Sequence, residues 1–501
     1  MEVDNDISNE IVEVEAPSSP VKPTLDGTSS NTGIKVVCYF TNWAWYRQGL
    51  GKYKPENIDP ELCTHINYGF AVLDPTKLVF FFIINKVFSN LTCFLFSLIM
   101  VPHDTWADID NKFFSSVAAL KSKGITVSIA LGGWNDSEGD KYSKLVNNPS
   151  SRSKFISEAV KFIEKYGFQG LDLDWEYPKC WQVDCSLGPE SDKASFAAFV
   201  KELSAEFKPR GWVLSAAVSP SKTVIDAGYD VPALNQYLDI INVMTYDYHG
   251  HWDKKTGHVA PLYAHPQDDY SYFNANFTMN YWVTLGASKS KLVMGMPMYG
   301  QAFSLSDSSE TGLNSPARGK GEAGEFTRAA GFLAYYEICE KVRNSAWTIV
   351  QDPENRLGPV AFNGDQWVGY DDITMIRRKS QFIKDNGFGG GMIWALDLDD
   401  FTNRCGCETY PLLKTINRVL RDYSAPDPSC ELRAMAYNNR YSQYRFPEFF
   451  SQYPQPQAQS NVNPQTYSQN IIPTFSNSQL QYSQYTAPYH YSAVPNAAYY
   501  K

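Results

Sequence analysis

Short apolar runs recur along the chain, and amphipathic stretches with helical spacing lie between them. Runs at 35–40, 64–70, 126–131, 213–218, 240–247, 292–299 and 391–397 read as strands. An eighth, 167–178, alternates apolar with acidic residues and ends at Pro178, which cannot donate to a ladder. Helical patterns occupy 111–123, 151–166 and 193–207, the last beginning after Ser191-Asp192 as a helix cap. Eight strands alternating with helices predict an α/β fold, a (β/α)8 TIM barrel. Such a barrel carries its site at the C-terminal ends of its strands. Trp43, Trp134, Glu176, Tyr246, Asp247, Tyr299 and Trp394 all fall there. Roughly ninety residues separate strands seven and eight, so a small α+β insertion is expected at 303–369.

The 167–178 stretch concentrates the chemistry. With period two, Asp172, Asp174 and Glu176 share one face, and Leu171, Leu173 and Trp175 share the other. Successive acids on one face lie about 6–7 Å apart. Carboxyls that close, half-buried, cannot all ionise freely, so at least one should hold its proton near neutral pH, as a general acid must. A solvated strand face or a hard-cation site would use the same residues. The apolar face and the following Tyr-Pro oppose the first, and the lack of a second dense acidic cluster opposes the other.

Composition narrows the field. The chain has 501 residues, 43% of them hydrophobic, which is enough for one large domain with extras. A net charge of −10 without a basic block argues against nucleic acid as a partner. Residues 1–33 are acidic and Pro/Ser-rich, a disordered linker by composition, without the charged start and apolar core of a secretory signal. Nine cysteines nonetheless point to an oxidising compartment, and the sequons at Asn135 and Asn276 agree weakly. A zinc site is the competing reading of the cysteines, but no paired Cys-x-x-Cys accompanies them. Residues 426–501 form a Tyr/Gln/Pro/Ser-rich low-complexity tail. Residues 78–100 are long and apolar enough to pass as a membrane span. They interrupt the barrel between strand two and the next helix, where a span would tear the sheet, so no genuine span is expected.

The words Phe168-Gln169-Gly170-Leu171-Asp172-Leu173-Asp174-Trp175-Glu176-Tyr177-Pro178 resemble the signature of glycoside hydrolase family 18, the chitinases and chitinase-like lectins. The resemblance spans roughly residues 34–425, and Gln169 stands where the signature has its first Asp. The segment from Tyr39 to Arg47 resembles arthropod chitinases of cuticle turnover in particular. Family 18 is an exception among retaining glycosidases, because the substrate's own acetamido oxygen is the nucleophile. The resemblance therefore implies Glu176 as acid and base, Asp174 as orienter of the acetamido group, and Asp172 as its proton-sharing partner. It implies Tyr246 as donor to the acetamido carbonyl and Asp247 as a holder of the sugar. Trp394 becomes the floor beneath that sugar, Trp43, Trp134 and Trp252 stack neighbouring rings, and Tyr177, Met244, Met296 and Tyr299 line the subsites. Gln301 stands where some relatives carry Arg. The substrate implied is chitin or a chito-oligosaccharide, cut by an endo-acting, secreted, monomeric enzyme that needs no cofactor and no metal.

The resemblance also suggests disulfides Cys38–Cys63 and Cys339–Cys405. Cys180 and Cys185 are close enough in sequence to close a small loop after the acid, and Cys407–Cys430 is the pair left over. Cys93 is then odd. It lies in residues 79–100, whose removal joins Leu78 to Val101 in an uninterrupted family pattern, so the stretch reads as a retained intron. A non-catalytic lectin on the same barrel, an enzyme of N-glycan cores and a matrix structural protein are the rival readings.

Overall fold

The computed structural model describes residues 33–74, 78–80, 94–96, 98–344 and 347–424. The expectations for residues 1–32, for most of the apolar stretch with Cys93, and for the tail with Cys430 lie outside these residues.

Eight parallel strands close into a barrel. They are β1 (Lys35–Thr41), β2 (His65–Asp74), β3 (Thr126–Gly132), β4 (Gly170–Asp174), β5 (Val213–Val218), β6 (Ile240–Val243), β7 (Leu292–Pro297) and β8 (Gly390–Trp394). Each pairs with its neighbours in sequence, and β8 returns to β1. Burial on both faces is why the strands read as nearly continuous apolar runs. β4 is buried at every position. Its first residue must be glycine, because a Cβ on Gly170 would lie 2.3 Å from the Val213 carbonyl oxygen. The strand is delivered by the helix Pro149–Tyr166, whose N-terminus is capped by Asn148 accepting from the Ser150 and Ser151 N–H groups. That helix stops at Gly167 in the left-handed conformation, φ 78°. Gln169, behind the acids, accepts from the Val127 N–H through Oε1 at 3.2 Å.

Several expected boundaries move. β4 ends at Asp174, not near Pro178, so Glu176 lies beyond the strand and period two does not reach it. β6 stops at Val243 and β7 at Pro297. In each case the chain leaves the sheet at the barrel rim, where turning aims the next side chains over the barrel mouth. The 111–123 helix is a short helix, Phe113–Ala118, followed by a tighter turn, Ala119–Lys123. Ser191 and Asp192 are the first two residues of the helix Ser191–Phe207 and do not cap it. Asp192 is fully buried and instead accepts from Ser143, Asn147, Trp181 and the Lys179 N–H.

The insertion begins at Tyr299, earlier than expected. Its strand Tyr299–Leu305 pairs antiparallel with Ala317–Lys320, Phe332–Ala334 and Gln366–Tyr370, and Val360–Asn363 and Thr348–Val350 extend the sheet. Cys339, on the helix Tyr335–Asn344, is disulfide-bonded to Cys405 beyond β8. Cys38–Cys63 joins β1 to the approach to β2, and Cys180–Cys185 closes a short loop after Glu176. Cys407 is also disulfide-bonded.

The ends of the apolar stretch form ribbon, not helix. Leu78–Phe80 pairs antiparallel with Phe94–Phe96, and Ile99–Pro102 pairs with the far end of β2. Met100 is buried there opposite Leu73, so the last residues of the suspected insert belong to the barrel's own edge. Among the described residues no helix is long and apolar enough to cross a membrane.

Candidate active site

The barrel interior holds Asp172 in a full set of donors. Tyr39 donates to Oδ2 at 2.5 Å, while Ser215 and Asn242 donate to Oδ1, the latter at 3.1 Å. Burial pushes this carboxyl up, and these three hydrogen bonds pull against it. None of the three partners was singled out from the sequence. A signal existed for two of them: Ser215 and Asn242 are polar residues inside otherwise apolar strand runs, and a parallel register sets Ser215 beside Asp172.

Asp174 is different. It is 3% exposed, and its Oδ1 has no hydrogen-bond partner. Burial, then the nearby charges of Glu176 and Asp172, hold it well above the ordinary carboxylate range. Glu176 follows on the rim, half-buried, with its carboxyl raised to about 8 by burial against an opposing hydrogen bond from Tyr177. Its backbone N–H is held by Ser137 Oγ at 2.9 Å. The Glu176–Tyr177 peptide bond is cis. Burial leads in both cases, so both carboxyls hold their protons more tightly than exposed acids do.

Asp247 faces the same mouth. It has a left-handed backbone, φ 55°, and accepts from Tyr299 at 2.8 Å and from Gln301 Nε2 at 2.8 Å. Burial raises its carboxyl to about 6, against those two donors. Tyr246 lies edge-on to Tyr299, and its hydroxyl reaches Met392 Sδ at 3.8 Å. Met392 comes from β8 and was not picked out from sequence. It fits because the facing position on β7 is Gly295, where a Cβ would meet the Tyr246 ring at 2.8 Å.

The same alternation corrects one expectation. Met296, next to Gly295, faces the opposite way and is wholly buried. Its methyl packs over Gly391, beside Ile383 and Leu420 of the helix layer, so it cannot line the mouth. Met244 and Tyr177 are 7% and 6% exposed, close under the rim.

An aromatic wall closes one side. Trp394 packs against Tyr39 at 5.3 Å, Phe70 at 5.8 Å and Trp43 at 6.1 Å, and Phe70 also stacks on Trp43 at 5.9 Å, so the rings of Trp394, Phe70 and Trp43 form a triangle. Phe70 is a further member that sequence reading missed. Trp134 lies half-buried after β3, and Trp252 half-buried on the turn His251–Asp253. Trp252 is packed tightly against Gly250, where any Cβ would collide with its ring.

A parallel eight-stranded barrel with buried acids at the end of β4 and an aromatic wall beside them is the arrangement of the family 18 barrel. The chain belongs to the glycosyl hydrolases family 18, whose family model matches residues 35–399. It is 58% identical over 408 residues to probable chitinase 10 of Drosophila melanogaster, covering 81% of this chain but only 17% of that protein's length. It is similar to catalytic domain 2 of the Ostrinia furnacalis Group II chitinase, solved in complex with penta-N-acetylchitooctaose, with 55% identity and a TM-score of 0.75 over 80% of this chain and 99% of that one. It is also similar to human YKL-39, described as a pseudo-chitinase with retained chitooligosaccharide binding, with 34% identity and a TM-score of 0.67 over 77% of this chain and 99% of that one. The chain thus belongs to a family whose members similar to it include both chitinases and a pseudo-chitinase that binds chitooligosaccharide.

Proposed function

We propose that this protein cuts chitin internally, at β-1,4 bonds between N-acetylglucosamine units, with retention and with the substrate's acetamido oxygen as nucleophile. The observation that carries the reading is the buried, unpartnered Oδ1 of Asp174 beside the raised carboxyl of Glu176. An acceptor left without a donor inside a barrel mouth is costly. The N–H of an acetamido group would satisfy it. Glu176 then gives its proton to the glycosidic oxygen as the acetamido oxygen bonds to the anomeric carbon and the C–O bond breaks. Asp174 offsets the positive charge of the resulting oxazolinium ion, with Asp172 behind it. Tyr246 orients the acetamido carbonyl. Water next attacks the anomeric carbon and loses its proton to Glu176, while the bond from that carbon to the acetamido oxygen breaks, which regenerates the acetamide and restores the acid.

Asp247, Tyr299 and Gln301 hold the sugar at the cleavage point, and Trp394 lies beneath it. Trp43, Trp134 and Trp252 stack the rings on either side. The insertion sheet makes one wall of the groove, which favours a linear polymer over short glycans. Export is part of the same reading, since three disulfides among the described residues persist best in an oxidising compartment. Turnover of cuticle or matrix is the role proposed.

The test is hydrolysis of a chito-oligosaccharide by the full chain beside Glu176→Gln. Activity that vanishes in the variant while binding persists supports the reading. A folded wild type that binds the oligosaccharide and never cuts it overturns it in favour of a lectin.

A further inference from the structure

The loop after Glu176 is more constrained than a barrel connection requires. Lys179, Gln182 and Val183 all have positive φ, at 65°, 45° and 69°. For a β-branched residue such as Val183 this backbone is strained and persists only where its surroundings impose it. The surroundings here are the Cys180–Cys185 disulfide and a set of short hydrogen bonds. The Val183 N–H donates to the Cys180 carbonyl at 3.0 Å, the Asp184 N–H to the Trp181 carbonyl at 3.1 Å, and the Gly188 N–H to the Lys179 carbonyl at 3.0 Å. From outside, buried Asp192 grips the Lys179 N–H at 3.2 Å and the Trp181 indole at 3.1 Å.

This apparatus aims one residue. The backbone N–H of Gln182 donates to the Glu176 carbonyl at 3.0 Å. The side-chain Nε2 of Gln182 donates to the Trp134 carbonyl at 3.2 Å. A second path links the same two segments: Ser137 accepts from the Glu176 N–H through Oγ, and its own N–H donates to the Gly133 carbonyl at 2.9 Å. The rim of β4 and the rim of β3 are thereby joined in a closed ring of hydrogen bonds through Gln182 and Ser137.

We propose that Gln182 is a positioning residue that ties the ring-stacking Trp134 to the acid Glu176. It would set how far a bound sugar at Trp134 lies from the group that protonates the scissile bond. The proposal rests on the roles given above to Glu176 and Trp134. The two bonds of Gln182 divide the work. The backbone bond holds Glu176 and survives any side-chain change. The side-chain bond holds the Trp134 carbonyl and is lost with the amide. Removing the amide therefore loosens Trp134 while leaving the acid in place.

The experiment uses the full chain with a chito-hexasaccharide. Gln182→Glu keeps the shape and replaces the donor with an acceptor facing a carbonyl oxygen; Gln182→Ala removes the side chain, and Ser186→Ala, elsewhere on the same exposed loop, is the control. Kd is read in the Glu176→Gln background from tryptophan fluorescence, and kcat and KM are read in the active background. Loss of one hydrogen bond predicts a Kd and KM raised about three- to tenfold in both Gln182 variants. It also predicts kcat within about twofold and an unchanged alkaline limb of the pH profile. Cys180→Ser/Cys185→Ser should weaken binding at least as much, and adding Gln182→Glu to it should cost no further affinity, because both act through one link. An unchanged Kd in Gln182→Glu overturns the proposal, as does a fall in kcat at constant KM. If the wild type binds without cutting, the catalytic reading fails, while the Kd comparison still decides this one.

Discussion

Buried charge is handled in opposite ways at the barrel mouth and behind the insertion. Behind it, Lys379 and Asp371 are both wholly buried and joined as an ion pair, with Lys379 also donating to the Ala260 carbonyl at 2.6 Å. His249, 4% exposed, lies between Asp253 and Asp268 at 2.9 Å each. Burial works against charge on that imidazole, but the two carboxylates outweigh it and raise it to about 9. At the mouth, Asp172, Asp174, Glu176 and Asp247 are met by hydroxyl and amide donors or, at Asp174 Oδ1, by none. Burial is the leading cause of the raised carboxyl in all four. The paired Asp371 is also raised, to about 6, with Lys379 pulling against burial, whereas at Asp172 and Asp247 the opposing pull comes from neutral donors.

The largest way to break this contrast is Glu176→Gln. A missing general acid costs about 10²–10⁴ in rate, so kcat on a chito-hexasaccharide should fall by that much with Kd little changed. In wild type, kcat/KM should fall as pH rises through about 8, because the acid must be protonated. Next is Lys379→Met, which strands Asp371 in the interior. Breaking a buried pair costs roughly 3–5 kcal/mol, measurable as a lower midpoint in urea denaturation.

A subtler effect tests the sign of the linkage. Glu176 titrates near 8 in the folded chain against 4.5 unfolded, so the folded state binds more protons between those values. Stability is therefore lost as pH rises from about 4.5 to 8. Glu176→Gln should have a higher Tm than wild type at pH 8 and no advantage at pH 4. His249, raised from 6.5 to about 9, adds stability that is full below 6.5 and lost as pH rises through 9. His249→Gln should flatten that part of the Tm profile. The smallest expected effect is deletion of residues 79–98, which spares the edge strand Ile99–Pro102. Long insertions in loops cost little, so Tm should move by no more than a few degrees. Amplification of the spliced transcript tests the intron reading directly, and a mature message with these codons ends it.

The sequence by itself determined the eight strands, because a parallel barrel strand buried on both faces must be a short apolar run. It also picked out Asp172, Asp174 and Glu176 as a group, although Glu176 lies beyond the strand's end and is not on its face. It could not reach the barrel interior. Ser215 meets Asp172 through strand register, and Tyr39, Asn242 and Met392 reach Asp172 or Tyr246 across the closed barrel, so all four contacts join residues far apart in the chain. Met296 shows the same limit from the other side, since its neighbour Gly295 takes the inward position and turns it toward the helices. Local alternation says that two faces exist. Closure of the barrel decides which face is the mouth, and the turns at its rim, at Glu176 and Asp247, decide where the acids finally point.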